Sequence, residues 1–332
     1  MNARERFNAI LEFKKPEERL PLIEWAAWWD KTMNRWMGEG LPQMGFEESQ
    51  SHFGLDPMCL ISIGTRDAGM PKPAYHGAPL ITDEASYEAV CPHLFTDALI
   101  ENACSQARKL KERHDRGEIV VRLWLDGFFW FPRAMFGIEP HFFAFYDHPE
   151  LMHRMNRELA EYNIRAMRAV FKILKPDMAG FAEDMSYNHG PMLSRELYNE
   201  FLLPYYRRVI PFIKGQGVRV LVDSDGDITT MVPWLQDAGI EGVYPLERQA
   251  GVDVAKLRQA YPRFIMLGGY DKMTLMKGEG AIRAEFERLL PVMKSGGFVP
   301  SMDHQTPPEC SLENYRAYVR LFREYAEKAA TE

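Results

Sequence analysis

The feature that most constrains the fold is an alternation of short apolar runs with long helical patterns, which begins near residue 118. The apolar runs are rich in β-branched and aromatic residues, which favour strands. Strands that are separated by helices pair in parallel through right-handed crossovers. Six runs follow this pattern: Ile119–Leu125, Met178–Ala182, Val218–Val222, Ile240–Tyr244, Phe264–Leu267 and Phe298–Met302.

Two further strand candidates, Leu20–Trp25 and Pro57–Ile63, precede this region and bring the total to eight. An open doubly wound sheet and a (β/α)8 barrel both satisfy the alternation. The open sheet is expected to carry a glycine-rich phosphate turn, yet neither GxGxxG nor GxxxxGK[ST] occurs in the sequence. The pattern therefore favours an α/β fold, a single (β/α)8 TIM barrel over residues 1–332 with an N-terminal helical extension.

Local signals predict where several helices begin. Asp147 precedes a helical pattern over His148–Ala169, and Ser194 precedes a second that runs to Lys214, so both are predicted N-caps. Two later helices are predicted at Ala281–Lys294 and Leu312–Lys328. The stretch Gly64–Pro79 contains proline and glycine and is predicted to be a long loop or hairpin, and whether it forms a lid stays open.

Composition excludes several classes of protein. Hydrophobic residues make up 46% of the chain and charged residues 26%, as in ordinary soluble globular proteins. The net charge of −7, with no Lys/Arg-rich block, argues against nucleic-acid binding. No apolar run approaches the roughly 20 residues that span a bilayer. The four cysteines lack CxxC spacing, and the charged N-terminus does not resemble a signal peptide. We expect a cytoplasmic protein without a membrane partner and leave dimerisation open.

Acidic residues follow six consecutive strand candidates. In a barrel the carboxyl ends of the strands meet at one rim, where active sites are built. A single Asp at a strand end usually caps the next helix, and this is the interpretation for Asp227. A ring of like charges is costly, so the set as a whole indicates a bound cation, shared protons or basic partners. Its members are Asp126, Glu183, Asp184, Asp223, Asp225, Glu247, Asp271 and Asp303.

A metal site is the sharpest hypothesis from these residues. Asp223 and Asp225 share one face if their strand continues that far, because side chains two apart point the same way. His304 follows the last strand and is expected to meet them across the rim. Two carboxylates and one imidazole leave a coordination position open, and oxygen-rich ligation suits zinc or a harder divalent ion. Glu247 is a further candidate ligand.

Other residues are candidates for catalysis or substrate binding. Glu183, Asp184 and His189 are placed to orient substrate or move a proton, although His189 fits a structural loop position equally well. Core packing is the default for the aromatic residues, but the segment DGFFWFPR follows a strand directly, so some rings are expected at the mouth of the barrel. The predicted substrate-binding residues are Trp28, Asp126, Phe129, Tyr187 and Asp271.

Several segments resemble the uroporphyrinogen decarboxylase superfamily over nearly the full length of the chain. The start NARERFNAIL with EERLPL is similar to the beginning of that family. Closer matches are EDMSYNHGPMLSRELYNEFLLPYYRRVI, the turn GGYDK, and GGFVPSMDHQTPPECSLENYRAYV. The resemblance implies one (β/α)8 barrel with its site at the strand C-termini.

The resemblance implies one of two activities. Decarboxylases of the superfamily act on uroporphyrinogen without a cofactor and carry an N-terminal motif of the form RQAGRY, where this chain reads LIEWAAWWDKTM. Buried carboxylates need bidentate cations, so decarboxylation of uroporphyrinogen itself is disfavoured. The methyltransferases use zinc and carry His-x-Cys and a later Cys, which correspond in position to Asp223, Asp225 and His304.

The sequence therefore leaves three hypotheses. The first is a metal-dependent methyltransferase that demethylates a small methoxylated or methylated substrate and passes the methyl group to a separate corrinoid protein. The second is a cofactor-free decarboxylase or other lyase acting on a different acid. The third is a barrel that only binds a tetrapyrrole or corrinoid.

Overall fold

A computed structural model describes residues 1–26 and 28–331 as a parallel sheet surrounded by helices. The strands of the sheet are β1 Met58–Ile63, β2 Val120–Asp126, β3 Met178–Ala182, β6 Arg219–Asp223, β7 Gly242–Tyr244, β8 Ile265–Tyr270 and β9 Phe298–Met302. A separate antiparallel pair consists of β4 Ser186–Tyr187 and β5 Gly190–Pro191. The sheet order is β1-β2-β3-β6-β7-β8-β9, and every neighbouring pair is parallel.

Helices precede, connect and follow the strands. Before β1 they are α1 Ala3–Leu11, α2 Asp30–Gly38 and α3 Phe46–His52. Between β1 and β6 they are α4 Glu84–Val90, α5 Asp97–Asp115, α6 Trp130–Phe136, α7 Ile138–Asp147, α8 Pro149–Phe171, α9 Arg195–Phe201 and α10 Leu203–Lys214. After β6 they are α11 Val232–Ala238, α12 Val254–Ala260, α13 Glu279–Met293 and α14 Leu312–Thr331. Short 3-10 turns lie at Cys91–His93, Thr229–Met231 and Lys272–Lys277. Within residues 1–26 and 28–331, no helix combines the length and apolarity that crossing a membrane requires.

The α/β class and the parallel pairing are confirmed, but the eighth predicted strand does not form. Residues 20–25 lie between the two edge strands and contact both sides. The amide of Asp56, just before β1, donates to the carbonyl of Leu22, and the Trp25 amide donates to Ser301 Oγ on β9. The Leu20 amide donates to the carbonyl of Ala326 on α14. Helix and side-chain partners therefore replace a strand ladder here, and the seven strands curl around this segment.

Two of the predicted helix starts have different outcomes. Ser194 is confirmed as an N-cap, because its hydroxyl accepts from the Leu197 amide. The prediction that Asp147 is an N-cap is wrong, because the N-cap of α8 is His148, whose side chain makes no capping bond. The helix predicted to run from Ser194 to Lys214 divides into α9 and α10, because Pro204 has no N–H with which to continue the ladder.

The segment Gly64–Pro79 begins as a loop tied to the Cys91–His93 turn. The amide of Asp67 donates to the carbonyl of His93, and the amide of Phe95 donates to the carbonyl of Thr65. The predicted loop is therefore present, and its role as a lid stays a prediction.

The inward face of the sheet is left partly open rather than filled. Arg122 pairs in register with Leu60, whose side chain faces inward and is 44% exposed. Deeper in, Gly180 of β3 leaves the space that the Tyr244 hydroxyl occupies, because a Cβ at position 180 would collide with that hydroxyl. Gly180 thus makes room for the Tyr244 ring, while Leu60 and Arg122 line an open space on the inner face of the sheet.

Candidate active site

A cavity of about 710 Å³ opens at the carboxyl ends of the strands and extends down the inner faces of β1 and β2. Its wall is mostly apolar, and its polar groups gather at the strand ends. The apolar lining is Trp25, Ala26, Phe46, Met58, Cys59, Leu60, Leu110 and Trp124. The charged and polar lining is Glu47, Ser62, Arg122, Asp184, Asp223, Asp225, His304 and Gln305.

Five acidic and imidazole side chains meet beside this cavity and form what we call the acid–histidine cluster: Asp184, Asp223, Asp225, Glu247 and His304. Asp225 belongs to two sets of three, one with Glu247 and His304 and the other with Asp184 and Asp223. Within each set the candidate ligand atoms lie within 4.8 Å of one another. The four residues that the sequence predicted as metal ligands are therefore brought together, with Asp184 beside them.

The turn after β6 positions the centre of the cluster. β6 ends at Asp223, and the next residue donates its amide to the carbonyl of Tyr244 on β7. Gly226 has a φ of +82° and donates its amide to Glu247 Oε2 at 3.0 Å, so the turn fastens Glu247 beside Asp225. Asp227 accepts from the Thr229 amide at 2.9 Å and so has a structural role, but the N-cap of the Thr229–Met231 turn is Ile228 and not Asp227.

Asp184 has an unusual backbone for a residue with a side chain. Its φ of +42° is in the left-handed region, which Asp tolerates better than most residues. The amides of Glu183 and Asp184 both donate to the carbonyl of Asp223, at 2.9 and 3.3 Å. These bonds hold the ends of β3 and β6 together, and such strained residues concentrate at functional sites.

Burial and mutual repulsion change the protonation of the cluster. Burial, followed by the neighbouring Asp184 and Glu247, raises the pKa of Asp225 to about 7. The pKa of Asp223 lies well above its usual range, again mainly through burial. Burial and then Lys272 lower the pKa of His304, whose Nε2 is 3.7 Å from Asp225 Oδ2. Near neutral pH these carboxyls either keep protons or require a cation.

Lys272, whose role the sequence analysis missed, is the basic side chain that pairs with the edge of this cluster. Its Nζ lies 3.6 Å from Glu247 Oε1 and 3.5 Å from Asp303 Oδ1. Asp303 is fully buried and accepts the amides of Arg248 and Lys272. Burial raises the pKa of Asp303 to about 6. Asp303 therefore anchors the lysine and its turn.

Glu183 lies under the loop after β2 and is fully buried. Its Oε1 accepts from the Phe128 amide at 2.7 Å and from the Tyr206 hydroxyl. Its Oε2 accepts from the amides of Phe129 and Trp130 at 2.7 and 3.0 Å. Burial raises the pKa of Glu183 to about 7, while these four donors lower it. The geometry assigns this carboxyl to fastening the start of α6.

Three predicted substrate-binding residues have protein partners of their own. Asp126 accepts from Thr65 Oγ1 at 2.5 Å. Phe129 is fully buried, with its ring centroid 4.7 Å from that of His141. Asp271 accepts from the amide of Met273 and from Gln249 Nε2.

The remaining predicted residues lie in two other places. Trp28 is buried in an aromatic cluster beside the cavity, with its ring centroid 5.2 Å from that of Phe46, which does line the cavity. Tyr187 and His189 are exposed in the β4–β5 hairpin. Trp25 and Trp124 are the tryptophans of the cavity wall. The substrate contacts proposed from sequence at Trp28, Tyr187 and His189 stay predictions.

Arg122 is a second residue that the sequence analysis missed. It is only 7% exposed, lines the cavity, and has no hydrogen-bond partner at Nε or Nη1 among residues 1–26 and 28–331. The signal was present, because a single arginine interrupts the apolar run IVVRLWL. Strand periodicity alone does not tell whether such a residue faces the inside or the helices.

Comparison with known proteins gives a family and several distant relatives. Residues 135–325 match the uroporphyrinogen decarboxylase (URO-D) family. Uroporphyrinogen decarboxylases of Bordetella parapertussis and Bordetella petrii are 30% and 28% identical over 181 residues, 51% of this chain and 48% of each relative. The chain therefore spans about half the length of the curated relatives it matches.

Two solved structures that match the chain are weakly similar to it. A B12-independent methionine synthase from Shewanella in complex with selenomethionine has a TM-score of 0.44 and 11% identity, covering 95% of this chain and 94% of that one. A putative vitamin-B12-independent methionine synthase from Listeria monocytogenes has a TM-score of 0.46 and 11% identity, covering 95% and 97%. Similarity at this level does not bear on function.

The family match has direct bearing on the site. The matched residues, 135–325, extend over more than half of the chain and contain every member of the acid–histidine cluster. The chain belongs to the uroporphyrinogen decarboxylase (URO-D) family.

Proposed function

We propose that this protein is a metal-dependent methyltransferase that demethylates a small methoxylated or methylated substrate and passes the methyl group to a corrinoid held by a separate protein. The observation that carries the proposal is the position of Asp225 in two overlapping sets of ligand atoms at the edge of a large cavity. The family match supports an enzyme of this kind without selecting the reaction.

The donor set fits a divalent cation. Four carboxylates and one imidazole supply oxygen and nitrogen atoms, and the candidate groups within residues 1–26 and 28–331 contain no cysteine. Such ligands suit zinc or a harder divalent ion. Burial and then repulsion from neighbouring carboxylates raise the pKa of Asp223 and Asp225, and a bound cation would offset both effects by favouring the ionised carboxylates.

The residues around the cluster have separable roles in this proposal. When bound, an ion would act as a Lewis acid on the substrate oxygen or nitrogen atom from which the methyl group is removed. Asp225 holds the centre of the site, while Gly226 and Lys272 orient Glu247 through a hydrogen bond and an ion pair. His304 supplies the nitrogen ligand beside Asp225 and Glu247, and Asp184, which lines the cavity, would orient the substrate or hold a proton. Trp25 and Trp124 form apolar walls of the cavity beside these residues.

A second candidate is a metal-free decarboxylase, for which one observation speaks directly. Burial raises the pKa of Asp225 to about 7, so about half of the molecules carry a proton on this group at neutral pH, and it would deliver that proton to the carbanion left by loss of CO2. The curated relatives are named uroporphyrinogen decarboxylases, which agrees with the reaction class.

An assay with free corrinoid separates the two candidates. Zinc-loaded protein is mixed with cob(I)alamin and either 3-methoxybenzoate or trimethylamine, and the visible spectrum is followed for methylcobalamin. The proposal is supported if methylcobalamin forms only when both the methyl donor and the ion are present. Asp225→Asn is then expected to abolish methyl transfer, and Asp227→Asn to preserve it. Release of CO2 from a carboxylic acid, without methyl transfer and without the ion, supports the decarboxylase instead.

A further inference from the structure

Arg122 is a buried cation with two nitrogens that have no hydrogen-bond acceptor among the described residues. It projects from the middle of β2, 7% exposed, and its Nε and Nη1 have no hydrogen-bond partner in the described part of the chain. Buried N–H groups without an acceptor are unfavourable, and more so on a charged side chain. Asp223 interacts with the charge of Arg122, but Nε and Nη1 have no acceptor, so an anion that enters the cavity would satisfy them.

Three aromatic rings frame this guanidinium. Its Cζ lies 5.2 Å from the ring centroid of Trp124, 5.4 Å from that of Tyr244 and 5.7 Å from that of Trp25. Cation–π contacts offset part of the burial cost and restrict the orientation of the guanidinium. They provide no hydrogen-bond acceptor for Nε and Nη1.

The space beside Arg122 is accessible. Arg122 lines the same cavity as Asp184, Asp223 and Asp225. Its neighbour in register, Leu60, is 44% exposed on the same face of the sheet. A molecule that enters from the strand ends therefore has a path to the guanidinium.

Charge and shape together select the anion. A phosphate dianion is repelled by the nearby carboxylates, whereas a carboxylate carries one charge and matches a guanidinium in a planar, bidentate way. Phe46, Met58 and Leu60 add an apolar wall that suits a flat hydrocarbon body.

We propose that Arg122 binds the carboxylate of the substrate, and that the substrates are small aromatic carboxylic acids whose far end reaches the acid–histidine cluster. The role of these acids as substrates rests on the proposed function, because it names the substrate class of that methyl transfer. Their binding to Arg122 is argued from the cavity alone.

Binding of a matched pair of probes tests the assignment without turnover. Affinities for 3-methoxybenzoate and 3-methoxybenzamide, which have nearly the same size and differ in charge, are measured by calorimetry and by quenching of tryptophan fluorescence. Wild-type protein is expected to bind the acid at least tenfold more tightly. Arg122→Met removes this preference, Arg122→Lys keeps only part of it, and Arg208→Met, on the surface of α10, leaves it unchanged.

The measurement is made on zinc-loaded and on chelator-treated protein, because an acid is also able to bind an ion. Absence of an acid preference in the wild type, which requires no variant to fold, overturns the assignment. The assignment is also overturned if Arg122→Met keeps the preference for the acid, or if removal of the ion abolishes that preference in the wild type. An Arg122-dependent preference without methyl transfer refutes only the proposed function. Equal methyl transfer from acid and amide in wild type and Arg122→Met refutes only the role of Arg122.

Discussion

Replacement of Glu183 by Gln tests whether this carboxyl holds the fold together or performs chemistry. The four donors around it leave no orientation in which an amide satisfies them all. In the best orientation the amide nitrogen takes the place of Oε1. The Tyr206 hydroxyl then rotates to accept, and the Phe128 amide alone loses its acceptor.

The expected cost follows from that geometry. Above the pKa of about 7, where Glu183 is ionised, a buried backbone N–H without an acceptor costs about 1–3 kcal/mol, and the two remaining bonds lose the extra strength that a charged acceptor gives them, for a total near 3 kcal/mol. With an unfolding entropy of about 2.1 cal/mol/K per residue, this lowers the Tm of a chain of this size by about 4 °C.

Urea unfolding followed by circular dichroism measures this cost. Glu200→Gln is the matched control, because its side chain is 60% exposed and is expected to change stability by less than about 0.5 kcal/mol. Unchanged stability in Glu183→Gln together with a large loss of kcat would refute the reasoning and return Glu183 to the catalytic role that the sequence suggested.

Two other substitutions test the remaining architecture. Burial raises the pKa of Glu24 to about 7 from 4.5, so the folded chain binds a proton that the unfolded chain releases, and stability falls as pH rises through this window. As the pH rises from 5 to 8, wild type should lose about 2–3 kcal/mol of unfolding free energy relative to Glu24→Gln, which does not titrate. Urea titrations that give the same difference between the two proteins at every pH contradict this. Gly180→Ala forces a methyl group against the Tyr244 hydroxyl and should cost about 1–3 kcal/mol, whereas Gly280→Ala, whose Cβ meets nothing within 4 Å, should be neutral or stabilising in the same unfolding assay.

Much of the fold was predictable because it depends on local patterns. Each of the six strand runs after residue 118 corresponds to a strand of the sheet, since apolar runs between helices have few alternatives. Residues 20–25 have the same apolar character but find their partners on α14 and in the Ser301 side chain. Those partners are distant in sequence, so no local pattern indicates them.

The site was predictable where topology alone brings residues together. Asp223, Asp225, Glu247 and His304 all follow parallel strands, and the carboxyl ends of such strands converge. Glu183 and Asp184 are adjacent in sequence but have opposite surroundings, because the loop after β2 covers only the first. Arg122 was missed because its significance lies in the absence of a partner, which only the packed structure shows.

Metal content is the most direct test of the account. Purified wild-type protein, the Asp225→Asn variant and the Asp227→Asn control are reconstituted with zinc and, separately, with manganese, dialysed, and measured by elemental analysis. The account predicts about one equivalent of a divalent ion per chain in wild type and in Asp227→Asn, and loss of the ion in Asp225→Asn, because Asp225 belongs to both ligand sets. A wild-type protein that retains no ion after reconstitution, or an Asp225→Asn variant that retains a full equivalent, contradicts it.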